Sequence, residues 1–230
     1  MDLLAEGVRQ ALALLFAGEG EVWSILWLSL LVSGTATFVA LLIGIPLGTL
    51  LALARFPGRS LVVSTVNTGM GLPPVVVGLF VSLLLWRSGP FGDWEILYTP
   101  TAIVIAQAVI ATPLVTGITL AAVGGVPAAF RLQLLGLGAS RVQMVWIVLR
   151  EARLPMLAAV MAGFGGVISE IGASMMVGGN IKGQTRTLTT AMVLETGKGN
   201  FDVAIALALL LLVLIFAVNW ALTSIQQRRA

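Results

Sequence analysis

The chain has 230 residues, 58% of them hydrophobic and only 10% charged, with a mean hydropathy of +1.04. Soluble domains carry roughly 25% charged residues, so this is the composition of an integral membrane protein folded as one helical bundle, not of a water-soluble enzyme. The absence of cysteine and histidine excludes disulfides, thiol chemistry and the usual zinc sites.

The chain opens "MDLLAEGVRQ", acidic where a secretory leader is basic, and no small-residue cleavage site follows an apolar core. The next stretch, "LLAEGVRQALALLF", is too short to cross a bilayer, so residues 1–21 are expected to lie on the membrane surface as an amphipathic helix. Five later segments have the length and polarity of membrane spans: Val22–Ala54, Leu61–Trp86, Thr101–Val123, Pro155–Val177 and Phe201–Ile225. The first is too long for a straight crossing. Either "GIPLG", Gly44 to Gly48, lets it bend, or the helix projects from the bilayer.

Charge sets the orientation. Arg55, Arg59, Arg131, Arg141, Arg150, Arg153, Arg228 and Arg229 fall on one side; Arg9, Arg87, Lys182, Arg186 and Lys198 fall on the other. The positive-inside rule then places the N-terminus outside and the C-terminus in the cytoplasm. The basic excess, 13 Lys and Arg against 10 Asp and Glu, is thus a topology signal rather than a nucleic-acid footprint.

Between the third and fourth spans, residues 124–154 form the longest cytoplasmic connection. Pro127 suits a first helical turn, and "AAFRLQLLGL" reads as a short amphipathic helix. "GLGAS" breaks it at Gly136 and Gly138, and Ser140 caps a second helix, "SRVQMVWIVLREAR". Pro155 is expected to start the next span. Such a hairpin either rests on lipid headgroups or docks a cytoplasmic partner that covers its apolar residues.

In the second span Pro73 and Pro74 each remove a backbone donor and crowd the carbonyls of Gly69 and Met70. Ser64, Thr65, Asn67 and Thr68 stand ready to re-satisfy that backbone. The break is either a packing kink or part of a route facing protein or water. Gly163, Gly166 and Ala173 bring small residues to the fourth span, as close helix packing requires. Met175 and Met176 read as gap-fillers.

Glu170, in "ISEIGAS", sets an acid among apolar and small residues at a cost of roughly 3 kcal/mol. It lies 15 residues after Pro155, in the outer half of the membrane. It is either satisfied by hydrogen bonds or a basic partner from the outer loop, or protonated and simply packed. That loop, residues 178–200, holds Asn180, Lys182, Thr185, Arg186, Thr187, Thr189 and Thr190. These basic and neutral donors are candidates for touching an anion or a binding protein, or else they cap a short re-entrant helix.

Several of these pieces resemble a known family. The hairpin is similar to the EAA loop of ABC importer permeases, with Gly138-Ala139 as the turn and Leu154-Pro155 as the closing pair. It departs from that pattern at Leu132-Gln133-Leu134, which replace the eponymous Glu-Ala-Ala, and by an extra helical turn before Leu154. "GLPPVVVGLFVSLLL", Gly71 to Leu85, resembles the second span of molybdate- and tungstate-type permeases. "SEIGASMMVGGNIKGQTRTLTTAMVLETGKGNF", Ser169 to Phe201, resembles their outer loop, most of all in the tungstate branch. The resemblance runs from about Ser29 to Phe216.

The resemblance implies an all-α, five-span permease subunit of an importer for a tetrahedral oxyanion, tungstate first, with molybdate or sulfate as alternatives. It implies a homodimer, a cytoplasmic ABC ATPase dimer carrying ATP and Mg, and an extracytoplasmic oxyanion-binding protein. Ala128, Phe130, Arg131, Leu132, Leu135, Gly138, Ala139, Ser140 and Arg141 would couple to the ATPase. Gly71, Pro73, Pro74, Glu170 and Ser174 would line or gate the pathway. No cofactor is expected in this chain itself: no phosphate-binding G-x-x-x-x-G-K-[ST] run occurs, nor any nucleophile–base set. A proton-coupled carrier using Glu170 is the rival of a different class; the paired broken repeats of such carriers are not visible in the sequence.

Overall fold

The computed structural model describes Arg9 and residues 20–227, and among these the chain is helical, with no strand. The surface helix expected over residues 1–21 lies almost wholly outside the described residues, as do Arg228 and Arg229.

Helix α1, Gly20–Leu53, is 34 residues long, about 51 Å at 1.5 Å per residue. "GIPLG" does not break it. Pro46 removes the donor for the Leu42 carbonyl, yet the helix runs on because its buried face is a ladder of small residues. Ser29, Ser33, Ala36, Ala40, Gly44 and Gly48 are all buried, and they bring α1 hard against the central helix α4, Pro100–Gly124. A Cβ on Gly48 would stand 2.6 Å from the Thr116 carbonyl oxygen and 2.7 Å from Thr119 Cβ. In lipid, where apolar burial drives no association, such close van der Waals contact is what joins helices. The opposite stripe, with Trp27, Phe38, Leu42, Ile43 and Leu47, is exposed.

Arg59 Nε donates to the Leu51 carbonyl at 2.7 Å, satisfying one of the last carbonyls of α1 with a cation suited to that end. Thr99 caps α4 through Ala102 N, and Pro100 takes its first turn. Most of the other core helices pack around α4.

The second and fourth spans are not single helices. The second is α2, Arg59–Met70, and α3, Pro74–Leu85, bent by 101°; the fourth is α7, Arg153–Ile168, and α8, Gly172–Gly178, bent by 58°. By length and apolarity α1, α4 and α10, Phe201–Gln227, can each cross a membrane, and counting each bent pair as one span gives five. Pro73 and Pro74 do not kink a continuing helix. They occupy the N-cap and first turn of a new one, where a missing N–H costs nothing. Two of the hydroxyls expected to mend the break are otherwise engaged: Thr65 donates to Leu61 O and Thr68 to Ser64 O. Gly69 O is met instead by Leu72 N at 3.3 Å.

The hairpin consists of α5, Ala128–Gly136, and α6, Arg141–Glu151. Its root is apolar: Val123, Val126, Val148 and Ala152 are buried together, with Leu53, Phe130 and Met156 against them. Helix α7 starts at Arg153, two residues before Pro155, because a proline is tolerated anywhere in a first turn whose N–H groups lack partners. The outer loop contains one further helix, α9, Leu188–Lys198.

Candidate functional site

Two broken spans meet inside the bundle. A Cβ on Gly78 of α3 would lie 2.7 Å from Ala173 Cα, and one on Gly172 would lie 2.6 Å from Val75 Cγ2. The fold therefore brings Pro73 and Pro74, at the head of α3, beside Glu170 and the head of α8. Glu170 is half-buried, and no basic side chain pairs with it in the described structure. Its Oε1 accepts from Ala173 N at 3.0 Å, so the carboxylate serves as a cap for α8, where negative charge is favoured.

The fourth-span break is held from two more directions. Thr189 Oγ1 donates to the Glu170 carbonyl at 3.1 Å. From α4, Gln107 Nε2 donates to Val167 O at 2.9 Å and to Ser174 Oγ at 3.3 Å, one acceptor on each side of the break. Gln107 is 2% exposed and its Oε1 has no partner. The sequence reading passed over this residue, although a lone amide in an apolar helix was signal enough. Gly71 lies in the gap between α2 and α3 and is exposed, while Ser174 is buried.

The outer-loop residues divide by role. Thr185 is buried: Oγ1 donates to Gly178 O at 2.6 Å and accepts from Ile181 N at 2.9 Å. Thr187 caps α9, with Thr190 Oγ1 accepting from Thr187 N at 2.9 Å. Leu188 N donates to Ser29 Oγ of α1 at 2.9 Å. Asn180, in the left-handed region at φ 51°, donates to Thr190 O. Lys182 pairs with Glu21 at 2.7 Å, and Arg186 Nη1 stands 3.7 Å from the same carboxylate. Hydrogen bonds from Lys198 and Asn200 hold the Glu195 carboxyl below its usual range. The stability this lends is present at neutral pH and fades as pH falls through the lowered pKa.

At the other end, the hairpin turn is set locally. Ala139 N bonds Leu134 O and Gly138 N bonds Leu135 O, both at 3.0 Å, with Gly138 at φ 88°; this is a Schellman closure. Ser140 and Gln143 then form a capping box. Ala128, Leu132, Leu135, Ser140 and Arg141 are exposed, Arg131 and Ala139 are half-buried, and Phe130 turns to the root. Leu137 is 85% exposed and Val142 81%, so the tip carries an uncovered apolar patch.

A binding-protein-dependent transport system inner membrane component is the family model that matches, over residues 44–230. The chain belongs to that permease family. It is an inner-membrane protein of that family, whose relatives are transport permeases and not enzymes. The permease is 39% identical to the tungstate uptake system permease protein TupB of Peptoclostridium acidaminophilum, over 99% of this chain and 100% of that one. It is 32% identical to the molybdenum transport system permease protein ModB of Escherichia coli, over 74% and 78%. In fold the permease resembles an inward-facing structure of the MetNI methionine ABC transporter, with a TM-score of 0.76 at 21% identity over 93% of this chain and 99% of that one.

Proposed function

We propose that this permease is the membrane subunit of an ATP-driven importer for a tetrahedral oxyanion, with tungstate as its substrate. The observation that carries the reading is the end-to-end similarity to a tungstate uptake permease. The ModB likeness favours molybdate as the second reading. Two copies would enclose the route. In support, α2 lies in a membrane bundle with no buried residue, and it presents Ser60, Ser64 and Asn67, exposed, at helical spacing. The N-terminus would face outward, toward an oxyanion-binding protein, and the hairpin inward, toward a separate ATPase pair holding ATP and Mg.

In this reading the paired breaks form the gate. Glu170, whose charge would repel a dianion, holds α8 rather than the cargo. Glu170→Gln keeps an acceptor for Ala173 N but loses the charge at the helix start, and Glu170→Leu loses both, a step of about 1 kcal/mol. ATP-driven uptake is expected to fall in the order wild type, Gln, Leu. Equal uptake and equal basal ATPase activity in all three would remove Glu170 from the gate.

Substrate and energy source are tested together by uptake into liposomes holding the complete complex. ATP-dependent entry of tungstate should exceed that of sulfate by about tenfold or more. Uptake that ignores ATP and collapses with the proton gradient would overturn the reading.

A further inference from the structure

A groove of about 700 Å³ lies where the inner end of α1 meets the hairpin, within the range of about 300–1,000 Å³ typical of small-ligand sites. Its walls include Leu50 and Leu53 of α1, Leu135 of α5, and Val145 and Leu149 of α6; the one charged side chain in the lining is Arg141. No acid lines it.

Two features say what fits. First, the apolar wall continues the exposed stripe of α1: Leu42, Ile43, Leu47 and Leu50 are all exposed, so the groove opens sideways toward hydrocarbon rather than into water. Second, Arg141 in the lining is joined by two further cations near the inner end of α1. Arg55 follows directly on the lining residue Ala54 and is exposed. Arg59 is fixed beside the same turn by its bond to Leu51 O. An apolar channel by itself does not discriminate among lipids, because an acyl chain is equally at ease in the bilayer. Cations at headgroup depth do discriminate.

We propose that this groove binds one anionic phospholipid, its acyl chain along Leu50, Leu53 and Val145 and its phosphate at Arg141, with Arg55 and Arg59 at the rim. The lipid would wedge the hairpin against α1 and so stiffen the arm that carries the exposed tip. The proposal does not depend on which anion is carried.

The test uses the full-length chain in nanodiscs containing phosphatidylglycerol or phosphatidylcholine, each with the same photoreactive diazirine acyl chain, and maps the cross-linked peptides. Phosphatidylglycerol is expected to label residues 49–54 and 135–149 about tenfold more than phosphatidylcholine. Arg55→Ala with Arg141→Ala should bring that labelling down to the phosphatidylcholine level, while labelling at Leu42–Leu47 stays unchanged. The wild-type comparison of the two lipids stands even if the double variant folds poorly. Equal labelling by both lipids would mean ordinary boundary lipid and would overturn the proposal. So would an unlabelled groove, as when a second copy or an ATPase fills it, or selective labelling that survives both substitutions.

Discussion

Changing Leu137 and Val142 together to Asp is expected to separate this permease from the ATPase proposed to drive it and to stop the proposed ATP-driven uptake. Both side chains are more than four-fifths exposed, so neither substitution touches the bundle core. They flank a turn whose geometry is fixed from within, by Gly138 in the left-handed region and by the Ser140–Gln143 capping box. A rigid turn presenting uncovered apolar side chains loses little freedom on docking, which makes it an efficient anchor. Central anchors of an interface are worth about 2 kcal/mol each, roughly thirtyfold in affinity, and two carboxylates add a desolvation cost. Co-purification should therefore fall below detection while the variant still inserts and stays monodisperse. Gly138→Val offers a second route, since a left-handed conformation costs a side-chain-bearing residue about 1–2 kcal/mol. If the double Asp variant keeps its ATPase and transports at the wild-type rate, the hairpin is not the coupling element.

What was legible in the sequence follows the range over which each feature is decided. The hairpin was readable because its signals are local. Gly138 ends one helix, Ser140 with Gln143 begins the next, and both need only neighbouring residues. Both ends of α4 and the start of α10 fell within a residue of the hydropathy limits for the same reason.

Longer-range decisions were hidden. Hydropathy reports that 61–86 and 155–177 are apolar, but it carries no information about direction, so neither the 101° nor the 58° turn was visible. Pro73-Pro74 announced a disturbance without saying that a new helix starts there. The break at Ser169–Ile171 has no proline at all, and besides Glu170 within it the break depends on Gln107 and Thr189, which arrive from other parts of the chain. Glu170's partner turned out to be a backbone N–H three residues on, the spacing of a helix cap. Of the two kinds of partner the sequence left open, hydrogen bonds or a basic side chain, the structure holds the first.

"GIPLG", which the sequence left open as a place to bend, lies within an unbroken helix, and it yields the second large effect. By intrinsic propensity, replacing a helical Gly with Ala gains about 1 kcal/mol. Gly34 and Gly48 stand in the same helix and should answer with opposite signs. A Cβ at Gly34 meets nothing within 4 Å, whereas one at Gly48 falls 2.6 Å from Thr116 O, 2.7 Å from Thr119 Cβ and 3.0 Å from Leu120 N. Two of those three atoms are backbone of α4, against which most of the bundle packs, so they do not swing aside as a flexible side chain would. Relief requires α1 to lift off α4 along the Gly44–Gly48 seam. Overpacking of this kind costs about 1–3 kcal/mol, occasionally more, which outweighs the propensity gain. In detergent, Gly34→Ala is expected to leave the unfolding midpoint unchanged or raised. Gly48→Ala should lower it, and Gly48→Leu should lower it by about 5–10 °C with reduced yield of folded protein. Equal midpoints for the two Ala variants would mean that α1 and α4 are not held at the separation the small residues imply, and the long first helix would then owe its continuity to something other than that seam.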